Sequence, residues 1–380
     1  MIRLLVTDQD LAVQGDPVTT WTSLDITSKF NEPASGTLVV PASNEVLAQL
    51  QPGARLVVIR DGQVWCAGPM EVPQQGDRNA TSGPGPITVN VTDDLAKIVG
   101  NLTYPDPGLP ADSASQPLER AFSATGTETI LRTLVSENCG PTALAARQIP
   151  TLALGAVAGV GTAATFRTRF EPLGDAMRTV AAIDGLGFRT RQSGGQVLFE
   201  VYQPVDLTGT ARISEGLGNL TSLSYKLTAP TVTTAIVGGG GEGTDRVIVV
   251  VTDTAAEADW WRIEQFVDRR DVADDSAGEL TAAGQEALAT GAGSVELSTV
   301  IRDTEDLAAG RDFGLGDRVT VQLPTGAQVA DIVREIHLTA TPRGGEQVTS
   351  VVGTAEASTD RTTVGAVREL ARRVGRLEAR

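Results

Sequence analysis

Trp21-Thr22-Ser23-Leu24-Asp25-Ile26, Phe30-Asn31-Glu32-Pro33, Thr37-Leu38-Val39-Val40-Pro41, then Pro52-Gly53-Ala54-Arg55-Leu56-Val57-Val58-Ile59-Arg60-Asp61-Gly62 and, past Trp65, Gly68-Pro69: between Trp21 and Met70 short β-rich runs alternate with Gly, Pro, Asn and Asp. That punctuation predicts a small antiparallel barrel or sandwich. The texture extends outward. Leu4 to Val6, Ser23 to Ile26, Thr37 to Val40, Arg55 to Ile59, Val64 to Ala67 and Thr88 to Val91 read as strands, and Gln74 to Pro86 as a polar loop. Asp93-Asp94-Leu95-Ala96-Lys97 reads as a short helix start.

The pattern changes after residue 99. A proline-rich connection, Tyr104 to Pro117, leads to Thr125-Gly126-Thr127-Glu128, which fits a capping box ahead of a helix carrying Ile130, Leu131, Leu134 and Val135. Gly140-Pro141 stops it. A second helix is expected from Pro172 to Asp184, with Leu173, Met177, Val180 and Ile183 inward. A hairpin follows, Gly187 to Arg191 and Val197 to Tyr202, around Ser193-Gly194-Gly195. Residues 216–358 return to strands, interrupted by an insertion at 254–290 with a helix at Ala277 to Ala289.

The expected class is therefore α+β, mostly β. Residues 1–99 and 216–358 form two antiparallel barrel-like domains, 100–215 a small α+β domain between them, and 359–380 a C-terminal helix. Gly53-Ala54-Arg55-Leu56-Val57-Val58, with Gly62 beyond, echoes Gly316-Asp317-Arg318-Val319-Thr320-Val321, with Gly326 beyond. Any turn–strand–turn–strand unit yields a similar echo, and a duplicated domain is the alternative source.

Composition limits the function classes. The chain has 380 residues, enough for more than one core, and 41% are hydrophobic, so it folds. A net charge of −16 argues against a nucleic-acid footprint, though an acidic wall would let a polyanion pass. Two cysteines in unrelated contexts, Cys66 and Cys139, suggest neither a disulfide scaffold nor a zinc site. No signal-peptide core or membrane-length apolar run is visible, which predicts synthesis in a reducing cytoplasm and leaves the sequons at Asn79, Asn90, Asn101 and Asn219 without meaning.

Candidate chemistry is thin. Gly238-Gly239-Gly240-Gly241-Glu242-Gly243 matches a dinucleotide fingerprint, but strand residues follow where a helix is required, so it reads as a hairpin tip. Gly155 to Gly161 lacks the Lys and Ser/Thr of a phosphate loop. Asp312-Phe313-Gly314 and Ile59-Arg60-Asp61 imitate kinase motifs at the wrong spacing and read as turns. His337, the single histidine, shares a strand face with Glu335 and Thr339 and reads as solvated. Asp93-Asp94 and Asp274-Asp275 read as helix-start acids. Trp260-Trp261 reads as a buried or interface anchor.

The order of the Phe30-Asn31-Glu32-Pro33 turn, the Asp61-Gly62 hairpin, the helix from Ile130 to Glu137, Gly218-Asn219-Leu220, Thr233 to Gly238 and Phe313-Gly314-Leu315-Gly316-Asp317 resembles the central baseplate-hub, or tail-associated (minor tail), proteins of long-tailed phages of actinobacteria. The resemblance implies a non-enzymatic homotrimer in the virion. Its two related barrels per chain adapt a sixfold tail tube to a threefold tip and line or close the DNA channel. It implies a distal tail protein or tube end, a tape-measure protein in the lumen and a distal fibre or spike as partners, with no cofactor or metal. Arg55 and Arg318 would occupy matching places. Two other readings stay open: a β-protein that acts on or binds cell-wall carbohydrate, and the hub of a contractile injection machine.

At the C-terminus Val367, Leu370, Val374 and Leu377 are spaced as an a/d heptad seam, and Arg373 and Glu378 fall at g and e. This predicts a short parallel trimeric coiled coil, made stable by tethering to a trimeric body.

Overall fold

The computed structural model describes residues 2–41, 48–71, 78–79, 83–273, 275, 278–292, 294–324, 326 and 328–353. The heptad seam at Val367, Leu370, Val374 and Leu377, with Arg373 and Glu378, lies outside the described residues, as does Asp274. The fold is mostly β, 43% strand against 17% helix.

In chain order the first strands are β1 (Ile2–Thr7), β2 (Ser23–Lys29), β3 (Glu32–Pro41), β4 (Arg55–Arg60), β5 (Gln63–Glu71), β6 (Arg78–Asn79), β7 (Gly83–Pro84) and β8 (Pro86–Thr92), followed by helix α1 (Leu95–Val99). The middle of the chain holds β9 (Arg120–Gly126), α2 (Thr127–Asn138), β10 (Leu152–Leu154), β11 (Ala163–Thr168), α3 (Leu173–Asp184), β12 (Gly187–Ser193), β13 (Gln196–Tyr202) and β14 (Arg212–Ile213). Then come β15 (Leu220–Thr228), β16 (Thr234–Gly238), β17 (Ile248–Thr252), α4 (Thr254–Asp259), β18 (Glu264–Asp268), α5 (Glu279–Thr290), β19 (Ser294–Arg302), β20 (Arg318–Gln322), β21 (Gln328–Thr341) and β22 (Gly345–Val352).

The chain divides into two compact units, Met1–Ser222 with Thr299–Val352, and Leu223–Ser298. In the first, one sheet runs β1-β4-β5-β8-β3-β2-β21-β22 and on to the Thr299–Arg302 end of β19, with β20 joining β21 and β14 joining β20. The strands expected in two separate barrels are thus continuous, and no closed barrel forms among the described residues. The physical reason is the β2–β21 seam. Leu24 to Lys29 pair antiparallel with Ala340 to Glu335, and that pairing occupies the edges that closure of either half would need.

Local chemistry explains the hairpins. Asp61 and Gly62 have φ of +51° and +83°, the mirror-image turn whose twist suits a two-residue β-hairpin, and they join β4 to β5. The echo extends to the backbone. Gly53 and Gly316 have φ of +84° and +86°, and Gly62 and Gly326 have +83° and +85°. The arginines differ, however: Arg55 is fully buried and Arg318 exposed.

The α+β module packs α2 and α3 with β10, β12 and β13 over Ile130, Leu131, Leu134, Met177, Val180, Phe188 and Phe199, and shares that core with Leu95 and Ile98 of α1. Helix α3 starts after Pro172 and ends at Gly185, whose φ of +66° is the left-handed cap. Leu173, Met177 and Val180 face inward as expected, whereas Ile183 is half exposed because it lies in the last turn, off the buried stripe.

The capping box does not form. Gly126 occupies the N-cap of α2 without a side-chain bond, and the Thr125 hydroxyl donates to the Ser123 carbonyl. Residues Arg120–Gly126 are drawn instead into β9, which pairs with β11. The second unit is a three-stranded sheet, β17-β16-β18, with α5 packed on one face. Its core is small: Val237, Val272, Leu280 and Ala283.

Candidate functional site

Two of the pieces that carry the family resemblance, the Phe30 to Pro33 turn and the Phe313 to Asp317 turn, meet at one polar junction in the first unit. At the β2–β3 turn Asn31 takes φ +58°, and its amide nitrogen donates to the Leu186 carbonyl at 2.9 Å. Its amide oxygen accepts from the Phe188 N–H at 2.8 Å. A buried side chain thus extends the start of β12 as a backbone would, joining the turn to the α+β module. Beside it, the Phe30 N–H donates to the Arg334 carbonyl, and the Phe30 ring lies where a Cβ on Gly316 would come within 2.3 Å. Position 316 therefore requires glycine twice, for its φ and for that ring.

The Phe313 to Asp317 turn is held from the module side. Tyr202 donates its hydroxyl to the Leu315 carbonyl, and Asp317 accepts from the N–H groups of Val205 and Gly314. Burial pushes the Tyr202 phenol up to about 12. Gly218-Asn219-Leu220 has the same kind of role, since Asn219 bonds the Ser214 N–H and the Arg212 carbonyl. These motifs fasten segments to one another and leave no reactive group open.

A second cluster was not legible in the sequence. Arg55 is completely buried and spends its guanidinium on Asp94, on the Thr7 hydroxyl at 2.9 Å and on the Gln192 amide oxygen at 3.2 Å. Lys97 sits 3.4 Å from Asp94. Asp94 is therefore a buried ion-pair partner, and of the two expected helix-start acids only Asp93 caps α1, by accepting from the Leu95 N–H. Burial, helped by the neighbouring Asp94 charge, lifts the Asp93 carboxyl to about 7. A cavity of about 60 Å³ lies beside it, lined by Trp65, Cys66, Asp93 and Gln192 among others. Burial raises the Cys66 thiol strongly and the Cys139 thiol to about 12, so both stay protonated and unreactive at neutral pH.

The glycine loops resolve into structure. The Gly155 to Gly161 loop does form an anion-binding nest, but its occupant is internal: the Glu128 carboxylate accepts the N–H groups of Ala158, Gly159 and Val160 at 2.7–3.0 Å. Gly238 to Gly243 forms a hairpin tip leading into β17. His337 is partly exposed, with Nε2 2.7 Å from Asp25 Oδ1 across the β2–β21 seam, so it is held by a hydrogen bond rather than merely solvated. Ile59-Arg60-Asp61 ends a hairpin, where Arg60 reaches Glu346 and stacks on Trp65 at 4.9 Å.

An open groove of about 590 Å³ beside the proline-rich connection contains Glu119 and Glu137, and each is paired to an arginine, Arg167 and Arg120. Among the described residues no group of three or more His, Cys, Asp or Glu could hold a metal, and no helix is long and apolar enough to cross a membrane. Trp260 and Trp261 are not buried anchors. They are 40% and 60% exposed, their rings 6.1 Å apart edge to face.

The fold of this chain is shared with solved phage tail proteins. The 43 kDa tail protein of prophage MuSo2 from Shewanella oneidensis superposes with a TM-score of 0.52 at 11% identity, over 92% of this chain and 97% of that one. The tail protein from Neisseria meningitidis MC58 gives 0.51 at 15% identity, over 93% and 97%. Within that class the chain belongs to the family described as Siphovirus ReqiPepy6 Gp37-like protein, whose profile it matches over residues 2–354. No curated protein matches it in sequence.

Proposed function

We propose that three copies of this chain form a structural, non-enzymatic hub at the tip of a siphophage tail. The observation that carries this reading is the repeated turn–strand segment. Two segments whose turn glycines have nearly equal φ, Gly53 and Gly62 in one and Gly316 and Gly326 in the other, lie on opposite sides of the β2–β21 seam. Two related barrel-like layers per chain, from 1–99 and 216–358, would give a threefold ring six similar strand surfaces, matching a sixfold tail tube. The net charge of −16 suits a channel wall along which DNA must slide without adhering.

The partners on this reading are the tube end or a distal tail protein on one side, a tape-measure protein in the lumen and a fibre or spike on the other. The heptad seam at Val367, Leu370, Val374 and Leu377, with Arg373 and Glu378 as its g–e pair, would supply the attachment to the fibre or spike. Averaged electron cryomicroscopy of intact tails tests the proposal. Three copies around the axis at the tip support it, and six copies, or a position along the tube, refute it. Removing residues 362–380 should leave the ring assembled and abolish joining to the distal component. A normal distal tip after that deletion refutes the role given to the seam.

A further inference from the structure

Two of the four tryptophans of the chain stand side by side in solvent in the second unit. Helix α4 starts on Asp253, whose carboxylate accepts the N–H groups of Ala255 and Ala256 at 3.1 and 3.0 Å, and it ends at Trp260. Trp260 and Trp261 are 40% and 60% exposed, and their rings meet edge to face with 72° between the planes. One residue fixes both ends of the segment that carries them. Thr233 is fully buried. Its carbonyl accepts the Asp253 N–H at 2.9 Å, and its own N–H donates to the Ile263 carbonyl at 2.9 Å. Its hydroxyl donates to the Trp261 carbonyl at 3.0 Å and accepts the Ile263 N–H at 2.7 Å. The backbone under the rings is therefore set before any ligand arrives, which removes an ordering cost from binding. Beside the rings Arg262 is held by Glu264 at 2.7 Å and by Glu257 at 3.4 Å, and Glu257 also reaches the Thr234 hydroxyl at 3.4 Å.

We infer that Trp260 and Trp261, with Arg262 and its two carboxylate partners, form a subsite for an uncharged pyranose ring. A pyranose carries C–H bonds on its faces and hydroxyls around its rim. It needs an aromatic face with hydrogen-bond donors and acceptors fixed beside it, and the segment supplies both. Charge narrows the ligand. Asp253 to Glu264 holds four carboxylates, Asp253, Glu257, Asp259 and Glu264, against the single cation Arg262. That balance repels nucleic acid, uronic acids and anionic lipid surfaces. It also disfavours the core of a protein interface, where carboxylates are depleted and about 800 Å² per partner must be covered. A single sugar ring asks only for the area of an indole and its polar rim. The inference is independent of the number of copies in the proposed hub, and it adds a ligand to a segment that the hub reading leaves unused.

Saturation-transfer NMR of the full chain with the methyl glycosides of glucose, galactose, mannose and N-acetylglucosamine tests this. At least one should bind at millimolar concentration through its ring C–H protons, and methyl glucuronide should not. Trp260→Ala and Trp261→Ala should each weaken that binding about tenfold, with the rest of Leu223–Ser298 still protected in hydrogen exchange, because both side chains lie in solvent. Silence for all four neutral glycosides overturns the inference. So does binding that survives both substitutions, or glucuronide binding as strong as that of the neutral sugars. Tryptophan-dependent adsorption to phosphatidylcholine vesicles without sugar binding overturns it in favour of a lipid surface. Indoles shielded from oxidation in assembled tails, again without sugar binding, overturn it in favour of another tail component. Each of these results leaves the copy number at the tail tip, and with it the hub reading, untouched.

Discussion

The two units differ in how much of themselves they cover. The first buries Phe188, Phe199, Ile130 and Leu134 in a deep core and even sinks a charged Arg55, with each of its donor nitrogens met. The second has a smaller buried cluster around Val237, Val272, Leu280 and Ala283 and leaves Ile248, Val250 and Phe266 about half exposed. A region that completes its own packing serves as a scaffold. A region with less buried apolar area opens more readily. The same contrast separates motifs that fasten the chain, such as Asn31 and Gly316, from surfaces that face outward.

The comparison breaks most visibly at Arg55. Arg55→Met leaves the buried Asp94 with Lys97 as its one remaining ion-pair partner among the described residues and should destabilise the first unit by about 3 kcal/mol in chemical denaturation. The pair Arg55→Met with Asp94→Leu should recover most of it. If the single variant is as stable as the parent, the buried cluster is not what joins β4 to α1. Next in size, Leu280→Ala should cost about 2–5 kcal/mol. Hydrogen exchange should show the loss confined to Leu223–Ser298, with the first unit still protected. Loss of protection throughout both units would deny their separateness.

Glu128→Gln weakens the acceptor of three loop N–H groups and should cost roughly 1–3 kcal/mol, with exchange rising at Ala158, Gly159 and Val160. Unchanged exchange there would mean that the loop holds itself.

Asp93 supplies a pH dependence. Its folded pKa of about 7 lies above the ordinary aspartate value of 3.8, so the folded state binds the proton more tightly. That stabilisation is full below about pH 4 and is lost as pH rises to about 7, by up to about 1.4 kcal/mol per pH unit. Asp93→Asn should flatten stability across that window, and an unaltered slope would place the titration elsewhere. The smallest effect belongs to His337→Ala. It removes a partly exposed hydrogen bond to Asp25 worth about 1 kcal/mol or less, and a large loss of stability would show that the β2–β21 seam depends on it.

Much of this was readable in the sequence because it is local. Asp61-Gly62 announces its hairpin, alternation marks β8 and β13, and Pro172 with Gly185 brackets α3. What escaped depends on partners far along the chain. Asn31 is explained only by Leu186 and Phe188, 155 and 157 residues away. Glu128 has the spacing of a capping residue but serves a loop 30 residues on, because the preceding segment is needed as β9. The β2–β21 seam joins two regions that each read as a self-contained barrel, and no periodicity within either half reports which edge it offers to the other.

The mass of the purified full chain in solution, by sedimentation or light scattering, tests the central claim most directly. The hub reading predicts a species at three times the 39.6 kDa of the chain. A monomer at every concentration, or a closed ring of six, would contradict it.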